Sequence, residues 1–228
     1  MGVDSENLPK IKENFAGDQK QLDHFVLSFE KKIIATLLPL VPSKITTAHL
    51  TLFTVLWCMG VIVSGYLASQ NIHWLWAFSG CIFGQYVTDM LDGAVGRERN
   101  EGLITWGFYM DHFLDYMFLS SMIIGYGFLL PPAFSSLALA CLMICGGFMV
   151  HAFLDFGITN NFKISFNRFG VSEVRFMIIA FNTVLIFLGK ELLIKTFPFI
   201  ILLFFAALVV VVYRSQVTYR LMDMKALK

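Results

Sequence analysis

Six long apolar segments constrain what this chain can fold into. Each is close to the ~20 residues that a helix needs to cross the ~30 Å hydrocarbon core of a bilayer. Backbone N–H and C=O groups in lipid must be satisfied within the chain, which favours helices over open strands. The segments cover approximately residues 46–69, 73–93, 102–129, 134–158, 173–193 and 196–213. We therefore predict an all-α integral membrane protein built as a bundle of six transmembrane helices.

The composition agrees with a membrane protein and excludes several other classes. Hydrophobic residues make up 57% of the chain and charged residues only 14%, whereas soluble domains carry about 25% charged residues. The formal net charge of +1 provides no basic field, so nucleic acid is not expected as a partner. The four cysteines lie in apolar segments and form no C-x-x-C pair, which argues against a disulfide framework or a zinc site.

The polar beginning of the chain predicts a cytosolic segment that leads into a surface helix. Residues 1–20 mix both charge signs, which is not the pattern of a secretory signal peptide. Over about residues 21–38, apolar residues recur at helical spacing opposite Asp23, Glu30 and Lys31, which predicts an amphipathic helix on the membrane surface. The expected parts are an N-terminal segment over 1–44, a six-span membrane domain over 45–213 and a cytosolic tail over 214–228.

The distribution of Lys and Arg orients the predicted bundle. Fourteen of the 17 lie before the first segment, between segments two and three, between four and five, or after the sixth. The opposite loops hold only Lys190 and Lys195, and Arg175 lies just inside the fifth segment. Because positive charge accumulates on the cytoplasmic side of a membrane, both termini and the loop over 94–101 are expected to face the cytosol.

Four aspartates interrupt the apolar pattern at one place. Asp89 and Asp92 close the second segment, and Asp111 and Asp115 lie within the third. Spacings of three and four residues put each pair on one helix face. At ~1.5 Å per residue, Asp89 lies roughly 12 Å before Arg97 and Asp111 roughly 13 Å after the start of the third segment, so both pairs can lie at one level. Charges at this depth are unfavourable unless they are paired, hydrated or bound to metal. The aspartates therefore predict a cation site just below the cytosolic interface.

Carboxylate oxygens favour a hard cation. We expect Mg2+ or Mn2+, as two ions, rather than zinc or copper, and two such ions can clamp a pyrophosphate. Gly93 and Gly96 remove side chains where a phosphate chain would approach, and Arg97 supplies a guanidinium fork for its oxygens. The alternative is a set of helix-end carboxylates paired with Arg97 and Arg99. Two arginines, however, do not neutralise four aspartates and two nearby glutamates.

The same residues resemble the signature of the CDP-alcohol phosphotransferase family. That signature reads D-x2-D-G-x2-A-R, then eight or nine residues, then G-x3-D-x3-D. The chain supplies, in this order, Asp89, Asp92, Gly93, Gly96 in place of Ala, Arg97, Gly107, Asp111 and Asp115. Two further stretches resemble family elements: residues 42–46 are similar to P-N-x-x-T, with Ser43 in place of Asn, and residues 169–175 are similar to G-P-T-E-x-R.

The resemblance implies a metal-dependent displacement at phosphorus. A CDP-linked donor would bind at the metals, an alcohol hydroxyl would attack the β-phosphorus, and CMP would leave. The metal ligands carried over by position are Asp89, Asp92, Asp111 and Asp115. Asp115 would also be the general base. The residues that would hold the nucleotide end of the donor are Thr46, Gly93, Gly96 and Arg97. The likeness further implies a homodimer.

His112 leaves the identity of the base open. The order D-H-x-x-D resembles the choline and ethanolamine phosphotransferase branch of the family, where a histidine occupies this place. A neutral imidazole beside the metals is a plausible base at pH 7. Alternatively, His112 packs against a neighbouring segment, one residue off the Asp111 face, and Asp115 alone is the base.

Four more polar residues form a candidate pocket for the acceptor alcohol: His151, Asp155, Lys163 and Arg168. His151 and Asp155 share a helix face, so they either line this pocket or hydrogen-bond each other. Lys163 and Arg168 either hold a phosphate on the acceptor or belong to a positively charged cytosolic loop.

Other polar residues in the apolar segments receive a structural interpretation. Glu173 and Arg175 are interpreted as ion pairing at the edge of the bundle. Gln85, Tyr86 and Asn182 are polar enough to join helices within a membrane.

Two classes of function fit these observations. The first is a membrane transferase of phospholipid synthesis, in which either CDP-diacylglycerol meets a soluble alcohol or a CDP-amino alcohol meets diacylglycerol among the membrane lipids. The second is a divalent-cation or proton-coupled transporter, because intramembrane aspartates also line transport pathways. A transporter is expected to show internal repeats and acidic residues near the midplane. The chain has no visible repeat and its aspartates lie toward one face, which favours the transferase.

Overall fold

A computed structural model describes residues 27–159 and 171–226 of the chain, and every regular element within them is helical. The all-α prediction is confirmed. The seven α-helices are α1 (Leu27–Leu37), α2 (Thr47–Gln70), α3 (Leu75–Glu98), α4 (Ile104–Gly127), α5 (Ser135–Thr159), α6 (Val171–Leu188) and α7 (Glu191–Ala226). The first part of the predicted surface helix, together with Lys163 and Arg168, lies outside the described residues.

The apolar segments of the sequence fall on helices α2 to α7, but the predicted boundary between the last two is wrong. The fifth segment, 173–193, runs past the end of α6 at Leu188 into α7, which begins at Glu191. Three helical stretches are long and apolar enough to cross a membrane: Thr47–Gln70, Pro132–Thr159 and Glu191–Lys225. Helices α3, α4 and α6 carry the charged residues described below. The structure thus has the character of a helical membrane protein.

Two helices extend beyond their predicted ends. Helix α3 continues to Glu98, so the prediction of a loop over 94–101 is wrong for its first five residues. The reason is packing, because Ala94 and Val95 are buried and Val95 joins a small core with Leu50 of α2. Helix α7 continues past residue 213 to Ala226, and its 36 residues correspond to about 54 Å at ~1.5 Å per residue. The predicted cytosolic tail is therefore largely a continuation of α7.

Helix α2 packs against both α3 and α4. Its contact with α4 is very close at Gly65 and Gly125, where a Cβ built on Gly65 would lie 2.5 Å from the Cα of Gly125. Small residues at such crossings allow helix backbones to approach in a membrane. Around this crossing lies the main apolar core, which includes Val61, Phe78 and Phe118.

A buried polar network joins α3, α4 and α6 beside this core. The hydroxyl of Tyr126 donates to Oδ1 of Asn182 at 2.5 Å, and Nδ2 of Asn182 donates to Oγ of Ser79 at 3.0 Å. Asn182 is fully buried. Its amide therefore hydrogen-bonds residues of both neighbouring helices, as expected of a polar residue that joins helices.

The segment before α2 is fastened to the end of α3. The guanidinium of Arg99 donates to the backbone oxygens of Val41 and Ile45, at 2.9 and 2.5 Å. Thr46 is the N-cap of α2, where its hydroxyl accepts from the backbone N–H of His49. These contacts fix where α2 begins relative to the last turns of α3.

The Gly65–Gly125 crossing can be tested with a matched pair of substitutions. Ala normally stabilises a helix interior relative to Gly by ~0.8–1 kcal/mol. At Gly65 the added methyl meets backbone atoms of Gly125, so Gly65→Ala is expected to lower stability by about 1–3 kcal/mol, as overpacking does. At Gly80 a Cβ meets nothing within 4 Å, so Gly80→Ala is expected to be neutral or stabilising. Thermal unfolding in detergent measures both, and equal unfolding temperatures would contradict the close crossing.

Candidate metal centre

Three of the predicted aspartates come together between α3 and α4. Asp89 of α3 and Asp111 and Asp115 of α4 each offer a carboxylate oxygen, and these oxygens lie within 4.8 Å of one another. All three residues are partly buried. Like charges this close repel strongly in a medium that screens them poorly. A set of three carboxylate oxygens at this separation is a donor set suited to a hard divalent cation.

Asp92 is placed differently from the other three aspartates. Its Oδ2 accepts a hydrogen bond from Oγ1 of Thr51 at 2.7 Å, and its backbone oxygen accepts one from Oγ1 of Thr47 at 3.0 Å. Both donors belong to α2, so Asp92 ties α3 to α2 at the level of the cluster. A three-residue spacing turns Asp92 by about 60° from Asp89 on the helix, which accounts for this different direction.

The side chain that pairs with the cluster is Arg175 of α6. Its Nη1 lies 2.8 Å from Oδ2 of Asp89, and its Nη2 lies 3.1 Å from Oδ1 of Asp115. Arg175 is only 6% exposed. One guanidinium thus joins α3, α4 and α6.

Sequence reasoning missed this role of Arg175. The interpretation of Arg175 as part of an ion pair at the edge of the bundle is wrong, because its partners are Asp89 and Asp115 of the acidic cluster. A signal was present, since an arginine inside an apolar helix indicates a functional site by default.

Gln85 of α3 adds a second donor to Asp115. Its Nε2 lies 3.4 Å from Oδ1 of Asp115, the same oxygen that Arg175 contacts. Gln85 is fully buried. A carboxylate accepts hydrogen bonds, so the amide nitrogen of Gln85 must face it. Asp115 is therefore held on one oxygen by two side chains from two other helices.

The two glycines of the signature lie in the last turns of α3. A Cβ built on Gly93 would lie 3.3 Å from Nη1 of Arg97, so the absence of a side chain lets this guanidinium lie against the helix. A Cβ built on Gly96 would lie 2.8 Å from Oγ1 of Thr47. Gly96 thus permits the close approach of α2. Arg97 itself is exposed at the end of α3.

Arg99 and Glu101 serve the junction between α2 and α3. The guanidinium of Arg99 is engaged by the backbone oxygens before α2, as described above. Oε2 of Glu101 accepts from the backbone N–H of Thr47 at 2.9 Å, at the N-terminus of α2. The alternative in which Arg97 and Arg99 neutralise the aspartates therefore differs from the structure. Arg175 is the arginine that pairs with Asp89 and Asp115. Thr46, the predicted nucleotide contact, is the N-cap at this junction.

His112 lies beside the cluster but packs into aromatic surroundings. Its Nδ1 is 2.7 Å from the backbone oxygen of Phe108 and 4.0 Å from Oδ2 of Asp111. The ring centroid lies 4.4 Å from that of Phe108 and 6.1 Å from that of Phe153 on α5. A backbone oxygen only accepts hydrogen bonds, so Nδ1 carries the proton in this arrangement.

The candidate acceptor pocket is described only in part. Asp155 of α5 accepts a hydrogen bond from the hydroxyl of Tyr219 near the end of α7. This contact joins α5 to α7 and differs from the alternative in which His151 and Asp155 bond each other. His151 lies one turn earlier on α5 and is partly buried.

A cluster of carboxylates suited to holding a cation lies within an all-helical, largely apolar bundle that has the character of a membrane protein. Residues 39–220 match the family described as CDP-alcohol phosphatidyltransferase. The match covers most of the chain, so the protein belongs to this family of transferases, which carry out phosphotransfer in phospholipid synthesis. No curated protein and no solved structure matches the chain.

The pairing of Arg175 with the aspartates predicts its effect on stability. Arg175→Met removes the charge, keeps much of the length and leaves Asp89 and Asp115 facing each other without a cationic partner. Breaking a buried ion pair costs about 3 kcal/mol or more, so a marked fall in unfolding temperature is expected when the buffer contains a metal chelator. Arg97→Met is the matched control, since Arg97 is exposed and its loss should change stability by no more than ~0.5 kcal/mol. Equal stability of the two variants would contradict the pairing.

Proposed function

We propose that this protein is a metal-dependent phosphotransferase of phospholipid synthesis. It transfers the phospho-alcohol group of a CDP-linked donor to an alcohol hydroxyl and releases CMP. The observation that carries the proposal is the group of Asp89, Asp111 and Asp115, within a chain whose family performs such transfers. The reaction breaks the bond between the β-phosphorus and the CMP oxygen and forms one to the acceptor oxygen.

The proposed cofactor is Mg2+ or Mn2+, as two ions. The residues that would hold them are Asp89, Asp111 and Asp115. Asp92, on α3 like Asp89, would be a fourth ligand. Carboxylate oxygens are the ligands that these cations prefer, so the donor set fits. When bound, such ions neutralise charge on the attacking and leaving oxygens of a displacement at phosphorus. The single charge of Arg175 leaves the cluster formally negative, which supports a need for further cations.

The base in this proposal is Asp115, which takes the proton of the acceptor hydroxyl. Arg175 and Gln85 both contact Oδ1 of Asp115, so its other oxygen, Oδ2, is the one assigned to this task. His112 supports the aromatic packing beside Asp111, because its Nδ1 proton is directed at the backbone of Phe108. A base must lie within hydrogen-bond reach of the proton that it removes.

The nucleotide end of the donor is proposed to bind at the end of α3. Gly93, Gly96 and Arg97 lie in the last turns of α3, and Thr46 is the N-cap of the adjoining helix α2. Arg97 is exposed and lies against Gly93, so its guanidinium is accessible to phosphate oxygens. The acceptor alcohol is proposed to bind in a pocket formed by His151, Asp155, Lys163 and Arg168.

The membrane arrangement completes the proposal. Helices α2 to α7 are the six spans, both termini face the cytosol, and the cluster opens on that side. This orientation follows from the distribution of Lys and Arg. The N-terminal segment is a surface helix, and the family resemblance adds a homodimer. The donor is either CDP-diacylglycerol, with a soluble alcohol as acceptor, or a CDP-amino alcohol, with diacylglycerol as acceptor.

The function is tested by CMP release from the purified protein. Each CDP-linked donor is supplied with labelled candidate acceptors, with Mn2+ or with a chelator. The expected result is CMP and a labelled lipid product from one donor and acceptor pair, both dependent on the metal. In proteoliposomes, flux of the cation without CMP formation would overturn the proposal and favour the transporter.

Asp115→Asn tests the proposed base. Asn keeps the size of the side chain and an oxygen for Arg175 but cannot accept the hydroxyl proton as a carboxylate does. CMP release is expected to fall by at least ~100-fold, as in the loss of a general base, whereas donor binding changes little. Asp223→Asn, at an exposed position of α7, is the matched control. Turnover of Asp115→Asn at the wild-type rate would exclude Asp115 as the base.

A further inference from the structure

The helix α1 lies outside the residues that match the family, yet it reaches the interior of the bundle through one side chain. Oε1 of Glu30 accepts a hydrogen bond from the hydroxyl of Tyr86 at 3.2 Å and another from Oγ of Ser172 at 2.8 Å. Tyr86 belongs to α3 and is 2% exposed, whereas Ser172 belongs to α6. A single carboxylate oxygen of α1 therefore bridges α3 and α6.

This bridge lies one helical turn from the acidic cluster on both helices. Tyr86 precedes Asp89 by three residues, and Ser172 precedes Arg175 by three. Residues three apart lie on the same side of a helix. Asp89 and Arg175 form the 2.8 Å ion pair. The two helices run antiparallel, since Ser79 of α3 meets Asn182 of α6 while Asp89 meets Arg175. Tyr86 and Ser172 therefore lie one turn to opposite sides of the ion pair, and Glu30 links α3 to α6 across it.

The ring of Tyr86 adds a third contact between the same two helices. It lies edge-to-face with Phe176, with 5.2 Å between the ring centroids. Phe176 follows Arg175 directly. The hydroxyl of Tyr86 is directed to Glu30 while its ring contacts α6, so loss of Glu30 frees the end of a side chain that supports the position of Arg175. Hydrogen bonds to a charged acceptor are also the stronger kind.

We propose that Glu30 is a positioning residue for the transfer reaction. It sets the first described turn of α6 against α3 and thereby holds the guanidinium of Arg175 between Asp89 and Asp115. The inference rests on the proposed function, because those aspartates are the proposed metal ligands and base. The N-terminal helix is, on this account, a part of the site's framework and more than a membrane anchor.

The test uses the full chain in detergent with four substitutions, one of which, Ser172→Ala, removes the hydroxyl that α6 donates to Glu30. Glu30→Ala removes the acceptor, and Glu30→Gln keeps an oxygen that accepts both hydroxyls. Lys31→Ala, on the neighbouring exposed position of α1, is the control. The readouts are kcat and KM for CMP release, the unfolding temperature, and hydrogen–deuterium exchange of a peptide that covers the first described turns of α6.

For Glu30→Ala, kcat is expected to fall roughly tenfold, which corresponds to about 1.4 kcal/mol in the barrier, while KM for the donor stays within about twofold. Exchange at the first described turns of α6 should accelerate. Lys31→Ala should resemble the wild type in all readouts, and Glu30→Gln, which keeps the acceptor oxygen but not its charge, should retain most of the kcat that Glu30→Ala loses. Ser172→Ala should reproduce part of the effect and add nothing to Glu30→Ala, because residues that act through one contact are not additive.

Two results would overturn the proposal. In the first, Glu30→Ala keeps the wild-type kcat and the wild-type exchange of α6. In the second, it lowers the unfolding temperature and raises exchange throughout the chain, while kcat per folded molecule is unchanged, which makes Glu30 an anchor only. If the wild type releases no CMP with any donor, the proposed function fails, and the exchange of α6 still decides whether Glu30 controls its position.

Discussion

A buried guanidinium between carboxylates of two other helices is the interaction on which this bundle depends. Charges within an apolar bundle are tolerated only when they are paired or bound to an ion. Arg175 contacts Asp89 and Asp115 together, so α3, α4 and α6 must meet at one level for any of them to bury its charge. Three carboxylates and one guanidinium still carry a formal charge of −2. The pairing therefore fixes the geometry of the centre, and the remaining negative charge still favours the binding of cations.

Helix α2 provides the rigid surface on which this arrangement rests. It meets α4 at the Gly65–Gly125 crossing and approaches α3 through Trp57, whose Nε1 donates to Oγ1 of Thr88 at 3.1 Å. Thr51 holds the carboxylate of Asp92 on the same side. A helix with contacts of this closeness leaves little freedom for the two helices that carry the aspartates. The geometry of the centre thus depends on packing, because glycines without side chains and the hydroxyls of threonines set the distances between the helices that form it.

The sequence predicted the helices and the acidic pairs well because both are local. Apolar runs predict where helices occur, and spacings of three and four residues place carboxylates on one face of a helix. The ends of the helices were harder to predict from the sequence. Helix α3 continues past Gly93 and Gly96 because Ala94 and Val95 are buried, and their burial depends on contacts with α2. The partner of the aspartates lies 60 residues beyond Asp115 in the chain, so no local pattern specified it. Glu30 likewise was placed on the polar face of α1, and only the packing of α1 on α3 brings it to Tyr86.

The contact between Gly96 and Thr47 has a consequence for how these chains diverge. Family members usually carry Ala where this chain has Gly96, and here a methyl group would lie 2.8 Å from Oγ1 of Thr47. That hydroxyl is itself bonded to the backbone oxygen of Asp92. Ala at position 96 therefore requires the hydroxyl of Thr47 to move or a smaller residue at the start of α2. The side chain that position 96 accepts is thus set by a residue 49 positions earlier in the chain.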